Sequence, residues 1–490
     1  MKAPPAPAST SSVASPEQPV LHRAGTLQYT SRRLAILFGW LLTADVFLTM
    51  IERVEAKILP VILKAHEASD REIAIIVSSI AAVMQLIVTP ILSFHSDRRR
   101  GPRGRRIPYI LWATPIVSIT LFATPFSPQI AAWLLRYEFA RDWLDRFPST
   151  PVIFTFGLIA VGFRFGHAVI STMFFSLFRD VVPSTHMGRF LAMFRVVGAL
   201  STFVTAYWLL GRAETHQHEI FIALAILNLA GFLGICFFVR EGEYPPVVEK
   251  HQAGPGAGRG TAFLNACRNF VAESYSHPIY WWTYLGRLFI YAAVPISGFL
   301  VFFPQKELGM DLDTVGKLMS WPAIAWLAVA YPVGRWLDRV GVVRVMIPSL
   351  LVLTVSYFAS FLLVVGPTTF FLSSFVTGLL YWVVMLGQIA LAQEIFHRDR
   401  YAQLSSAGII VQSIALAFIL SPLAGWILDA LHDFSATVTL PWVGAVEIER
   451  YRFVNVILVA LYGAALICVW QVARYRRRHV GPDGAYAAPL

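Results

Sequence analysis

The stretch Ser96–Leu111, SDRRRGPRGRRIPYIL, sets six arginines between two apolar runs near 72–94 and 107–128. A helix needs about 20 apolar residues to cross the hydrocarbon core of a bilayer. Each flanking run is that long. A short loop this rich in Arg stays on the cytoplasmic side of a membrane. The rest of the chain repeats the pattern. Apolar stretches of spanning length recur near 34–60, 151–178, 187–211, 219–239, 279–304, 314–337, 343–366, 369–394, 403–430 and 453–474. The expectation is twelve transmembrane helices with both termini cytoplasmic, in the cytoplasmic or plasma membrane.

Composition agrees. Of 490 residues, 56% are hydrophobic and 14% charged, too few charges to clothe the two or three soluble domains this length would otherwise imply. The net charge of +11 reads as loop charge, not as a nucleic-acid surface. Three scattered cysteines, Cys236, Cys267 and Cys468, form neither a disulfide framework nor a metal motif. No Walker loop, HExxH motif or nucleophile–base pair stands out, so the reading is not an enzyme and needs no cofactor or metal. Residues 1–33, rich in Pro, Ser and Ala, read as a disordered tail.

A polar segment at 241–278, with GPGAGRG at 254–260, divides the spans into 34–240 and 279–474, six each, ahead of a cytoplasmic tail at 475–490. The halves echo each other. Asp97-Arg98 with Gly104-Arg105-Arg106 after the second span answers Asp338-Arg339 with Gly341 and Arg344 after the eighth. FRDVVP at 178–183 after the fourth span answers His397-Arg-Asp-Arg after the tenth.

This loop grammar resembles that of the major facilitator superfamily. SDRRRGPRGRRIPYIL, FRDVVP and DRYAQLSSA (399–407) resemble the glycoside–pentoside–hexuronide:cation symporter and sucrose-transporter-like branch. The resemblance covers about 34–475. It implies an all-α membrane protein of two pseudo-symmetric six-helix bundles that moves a small polar solute by alternating access. In that setting Asp97, Arg98, Arg105, Arg106, Asp338 and Arg339 are candidates for a conformational latch, because acids beside arginines at helix ends can hold one state and release another. Plant sucrose–proton symporters of this kind carry an acid sixteen residues before the position of Asp180. Here that place holds Arg164, so any coupling must use another acid.

Charged groups inside spans are costly and point to function. Asp45, Thr49 and Glu52 share one face of the first span. Asp45 and Glu52 are the coupling candidates, with a proton the favoured cation. Glu52, Arg53 and Glu55 lie toward the outer end of that span, where an interfacial, solvated place is the alternative to a functional one. Arg164 and His167 in span 4 and Arg195 in span 5 could meet Asp45 at a central site. Arg287, Tyr291, Trp382, Gln388 and Gln412 are the candidates in the second half, as amides and rings suit sugar recognition. A sugar or glycoside substrate is favoured. An organic anion such as a uronate, an uncoupled facilitator, or a non-transporting pigment-assembly or sensor protein remain alternatives. The expected partners are a small solute, its coupling cation and lipid, for a monomer.

Overall fold

The structure is a computed structural model that describes residues 22–144, 149–243, 268–397, 400–441 and 444–478. Most of the expected tail, the centre of the linker, Arg398, Asp399 and the end of the C-tail lie outside the described residues. Twelve long helical rods run through it: α1 Ser31–Ala65, α2 Asp70–Arg98, α3 Ile107–Leu134, α4 Pro151–Val181, α5 Ser184–Arg212, α6 Gln217–Phe238, α7 Pro278–Glu307, α8 Leu312–Val340, α9 Val342–Leu363, α10 Pro367–Ile395, α11 Gln403–Ala430 and α12 Arg450–Arg478. Eleven are long and apolar enough to cross a membrane. The remaining one, α8, is as long as its neighbours, but Lys317, Tyr331, Pro322 and Pro332 dilute its apolar run.

The sequence explains the rod ends. Thr30 accepts the Arg33 amide as the N-cap of α1, and Ser69 with Glu72 forms a capping box on α2. Asp311 accepts the Thr314 amide at the start of α8, which holds its carboxyl below the ordinary Asp value. Two differences from the sequence reading follow. Residues 22–29 of the expected tail form a short antiparallel hairpin, His22–Ala24 with Leu27–Tyr29. A second hairpin, Ser435–Leu440 with Gly444–Glu449, joins α11 to α12.

An even number of rods puts both termini at one end, here called the terminal end. Helices α1–α6 and α7–α12 form two groups, which meet where α2 packs on α11 and α5 on α8. Glycines permit the closest approaches. A Cβ on Gly425 of α11 would lie 2.5 Å from the Arg71 Cα, and one on Gly298 of α7 would lie 2.8 Å from the Ala56 carbonyl of α1. Gly316 of α8 lies hard against the Ala206 carbonyl of α5. All three contacts lie in the half of the molecule away from the termini, so that far end is shut. Many apolar side chains face outward, including Ile119, Phe237, Leu372 and Phe418. An outward apolar surface of this extent belongs in lipid.

Candidate functional site

Helix α1 is the centre of the site. It runs five residues beyond its expected end, through Pro60, to Ala65. Glu52 to Lys57 therefore stand well inside the rod, about 12 Å or more from its end at 1.5 Å per residue. This corrects the interfacial reading of Arg53 and Glu55. Glu55 is buried at 5% exposure and forms an ion pair with Arg164 of α4, Nε to Oε1, at 2.6 Å. Arg164 also donates to the Val77 carbonyl at 2.6 Å. That carbonyl belongs to a π-helical turn of α2, Ile75–Ser79, where the altered spacing frees a backbone acceptor. His167, one turn along α4, puts Nε2 3.5 Å from Glu52.

Asp45 is buried at 1%, and its Oδ2 has no hydrogen-bond partner among the described residues. Thr49, one turn along α1, and Arg195 lie within electrostatic reach of it. Arg164 therefore meets Glu55, not Asp45, and Arg195 is an exposed residue of α5. The reason is height along α1: Glu55 stands ten residues beyond Asp45, level with Arg164.

In the second half the matching helices, α7 and α10, carry a mostly neutral network. Arg287 Nε donates to Gln388 Oε1 at 3.0 Å, and Gln388 Nε2 donates to the Tyr291 hydroxyl at 2.9 Å. The three residues singled out from sequence thus come together, around a Gln388 that is fully buried. Gln412 of α11 is half-buried, and its side chain makes no hydrogen bond among the described residues.

Between the halves lies a cavity of about 160 Å³. Arg53 and Lys57 of α1 line one side, with Thr202 of α5. Tyr357, Tyr381, Trp382, Tyr462 and Asn455 line the other. Trp382 stacks on Trp326, centroids 5.9 Å apart. The sequence reading missed Lys57. Its spacing from Arg53, four residues on a helix, was the available signal.

The latch candidates divide. Arg106 is buried at 2%; it bonds Asp97 at 2.5 Å and Asp180 at 3.3 Å, and it donates to Ser96. Arg105 bonds Asp180 at 2.7 Å. Glu241, just beyond α6, completes the group by accepting the amides of Arg105, Arg106 and Ile107 at 2.9, 2.7 and 2.7 Å. Arg98 is exposed. Asp338 and Arg339 are exposed and have no ion pair among the described residues, so the echo in sequence is not an echo in bonding. Among the described residues, the ion pair that crosses between the halves lies at the far end instead. Asp70 of α2 takes Arg450 at 3.2 Å and the Tyr451 hydroxyl at 3.2 Å.

Two helical groups around a central cavity, with buried acid–base pairs on crossing helices, are the framework of an integral multi-pass membrane protein, and the family match makes it a transporter and not an enzyme. The chain belongs to the Major Facilitator Superfamily, whose sequence profile matches residues 46–420 and 283–485. It is 27% identical over 178 residues to a general alpha-glucoside permease of Schizosaccharomyces pombe, a match covering 34% of this chain and 31% of that protein. The matched stretch thus spans about a third of that relative. Among solved structures, a bacterial homolog of the human lysosomal transporter Spinster, inward-facing and occupied, is similar at TM-score 0.61 and 14% identity, over 91% of this chain and 97% of that one. A peptide transporter POT in complex with sulfate gives 0.61 and 11%, over 92% and 95%. The nucleoside transporter NupG gives 0.55 and 13%, over 89% and 98%. These likenesses show the fold.

Proposed function

We propose that the chain is a proton-coupled symporter of a small polar solute of the sugar or glycoside class. It acts as a monomer by alternating access, in a cytoplasmic or plasma membrane with both termini cytoplasmic. One observation carries the reading. On α1, Glu52 and Glu55 pair with His167 and Arg164 of α4, one face away from the residues that line the cavity. A carboxylate that loses its guanidinium partner in a low-dielectric interior is costly, and a proton removes that cost. Movement of α1 as solute arrives can therefore be tied to proton uptake. This moves the coupling role from Asp45 toward Glu55, with Asp45 as a second acid whose Oδ2 is unpartnered.

The solute class is supported by the amide and ring groups of the second half, Gln388, Tyr291 and Trp382, and by the partial likeness to the alpha-glucoside permease. The test is uptake of a labelled α-glucoside into proteoliposomes under a pH gradient. The unmodified protein should accumulate it uphill. Glu55→Gln should keep exchange and lose accumulation. Equal accumulation with and without the gradient would remove proton coupling.

A further inference from the structure

Charge on α1 is sorted by face. Glu52 and Glu55 turn toward α4, where His167 and Arg164 answer them. Arg53 and Lys57, four residues apart on another face, line the cavity between the bundles. Among the described residues no acid lines that cavity. Lys57 has no hydrogen bond or ion pair among the described residues, and the Arg53 Nε is buried without a partner. The two cations also repel each other. Unpaired cations inside a membrane protein are expensive, and they persist where something else supplies the countercharge.

The opposite wall has donors and rings but no countercharge. Arg53 reaches Tyr381 across the bundle interface. Ser360, Thr377 and Asn455 offer neutral polar groups, and Trp382 offers a ring face. An oxyanion seated between Arg53 and Lys57 would supply the countercharge that the cavity wall lacks. A guanidinium takes a carboxylate or phosphate in a fork, and an ammonium adds a point charge beside it.

We infer that this cavity is an anion site: Arg53 and Lys57 hold the oxyanion group of a hydroxylated organic acid, whose body lies against Tyr381 and Trp382. The inference rests on the transporter reading and narrows its solute from a neutral sugar to an acidic one. It also gives a role to two cations that the α1–α4 pairs do not use.

The test compares glucuronate, glucose 6-phosphate and glucose as ligands of the purified full-length protein, by direct binding and by thermal stabilisation, since a ligand of the folded state stabilises it by mass action. At least one acid should bind at least tenfold more tightly than glucose, and which acid does so separates a carboxylate site from a phosphate site. Lys57→Gln should weaken that acid at least tenfold and leave glucose within about twofold, while Lys57→Arg should retain acid binding. Arg53→Gln should act in the same direction, with folding checked by its melting temperature. Equal binding of glucose and both acids, or an equal loss of all three in Lys57→Gln, overturns the inference. So does failure of both acids to bind. If Lys57→Gln still accumulates a neutral glucoside under a pH gradient and neither acid binds, the anion site fails while the symporter reading stands.

Discussion

The carboxylate of Asp429 caps the first turn of α2 from across the bundle interface. Its Oδ1 accepts the Asp70 amide at 2.7 Å and its Oδ2 accepts the Arg71 amide at 2.9 Å. The first amides of a helix have no partner within it, and an anion there is favoured by the helix dipole. In most helices the cap is local. Here α11 adds a second cap to α2 beside the local Ser69–Glu72 box, and that second cap exists only while the far end is shut. Lys64, Arg450 and Tyr451 converge on the Asp70 side chain and strengthen the same contact.

Loss of this cap should favour opening at the far end. Asp429→Ala removes two charge-assisted bonds and should weaken closure by about 1–3 kcal/mol. At 1.4 kcal/mol the open fraction rises about tenfold. Gly425→Ala should act alike, because its Cβ would meet the Arg71 Cα at 2.5 Å and backbone cannot yield cheaply. Distances between spin labels placed on the 66–69 loop and the 435–449 hairpin would read the change. Unaltered distance distributions in both variants would contradict it.

Glu55 is buried and its partner Arg164 is only 14% exposed, so breaking one partner should cost more than removing both. Single substitution Glu55→Gln or Arg164→Gln leaves an uncompensated charge and should cost about 3–5 kcal/mol. The double substitution should recover part of that loss, giving a coupling energy of at least about 1 kcal/mol. Melting temperatures of the four proteins complete the cycle. Strict additivity would mean that the two groups do not interact energetically.

Glu241 takes three backbone amides at the start of α3, and Gly104 beside it has φ +85°. That backbone conformation suits glycine, and any side chain there would collide with Glu241. Glu241→Ala should expose the Arg105–Ile107 amides and cost about 1–2 kcal/mol, as the loss of a good helix cap does. Hydrogen exchange should quicken at those amides and remain unchanged on α9. Gly104→Ala should quicken the same amides by displacing the carboxylate.

The fold was legible because apolar length and loop arginines are local signals. Twelve rods fall where twelve apolar stretches stand, and the family reading came from Asp97-Arg98 and its neighbours. The Arg287, Tyr291 and Gln388 network was legible in membership, since polar groups deep in spans have few uses other than bonding to each other. Pairing was not. Whether Arg164 meets Asp45 or Glu55 depends on the relative height of α1 and α4, which is set by packing and by the extension of α1 past Pro60. Lys57 escaped notice because a base near an expected helix end looks interfacial. The role of Glu241 was hidden for a different reason: it lies beyond the end of α6, and its partners are 134–136 residues away.

The two halves should respond unequally to the same change in their matching loops. Arg106 is 2% exposed and bonds Asp97, Asp180 and Ser96, whereas Arg339 in the corresponding second-half loop is exposed. Arg106→Gln leaves Asp180, itself only 7% exposed, with Arg105 as its remaining cation. That substitution should cost at least about 2 kcal/mol, the range for breaking a buried charge-assisted network. Arg339→Gln changes a solvated group and should stay within about 0.5 kcal/mol. Thermal melting of the two variants under identical conditions decides the matter. The physical content is that repeat symmetry in sequence does not impose symmetry in energy: one conformation can load the first loop's network while the second loop's residues stand in solvent. Equal destabilisation by the two substitutions would show that Arg339 has a buried partner in the dominant state and would reverse this assignment.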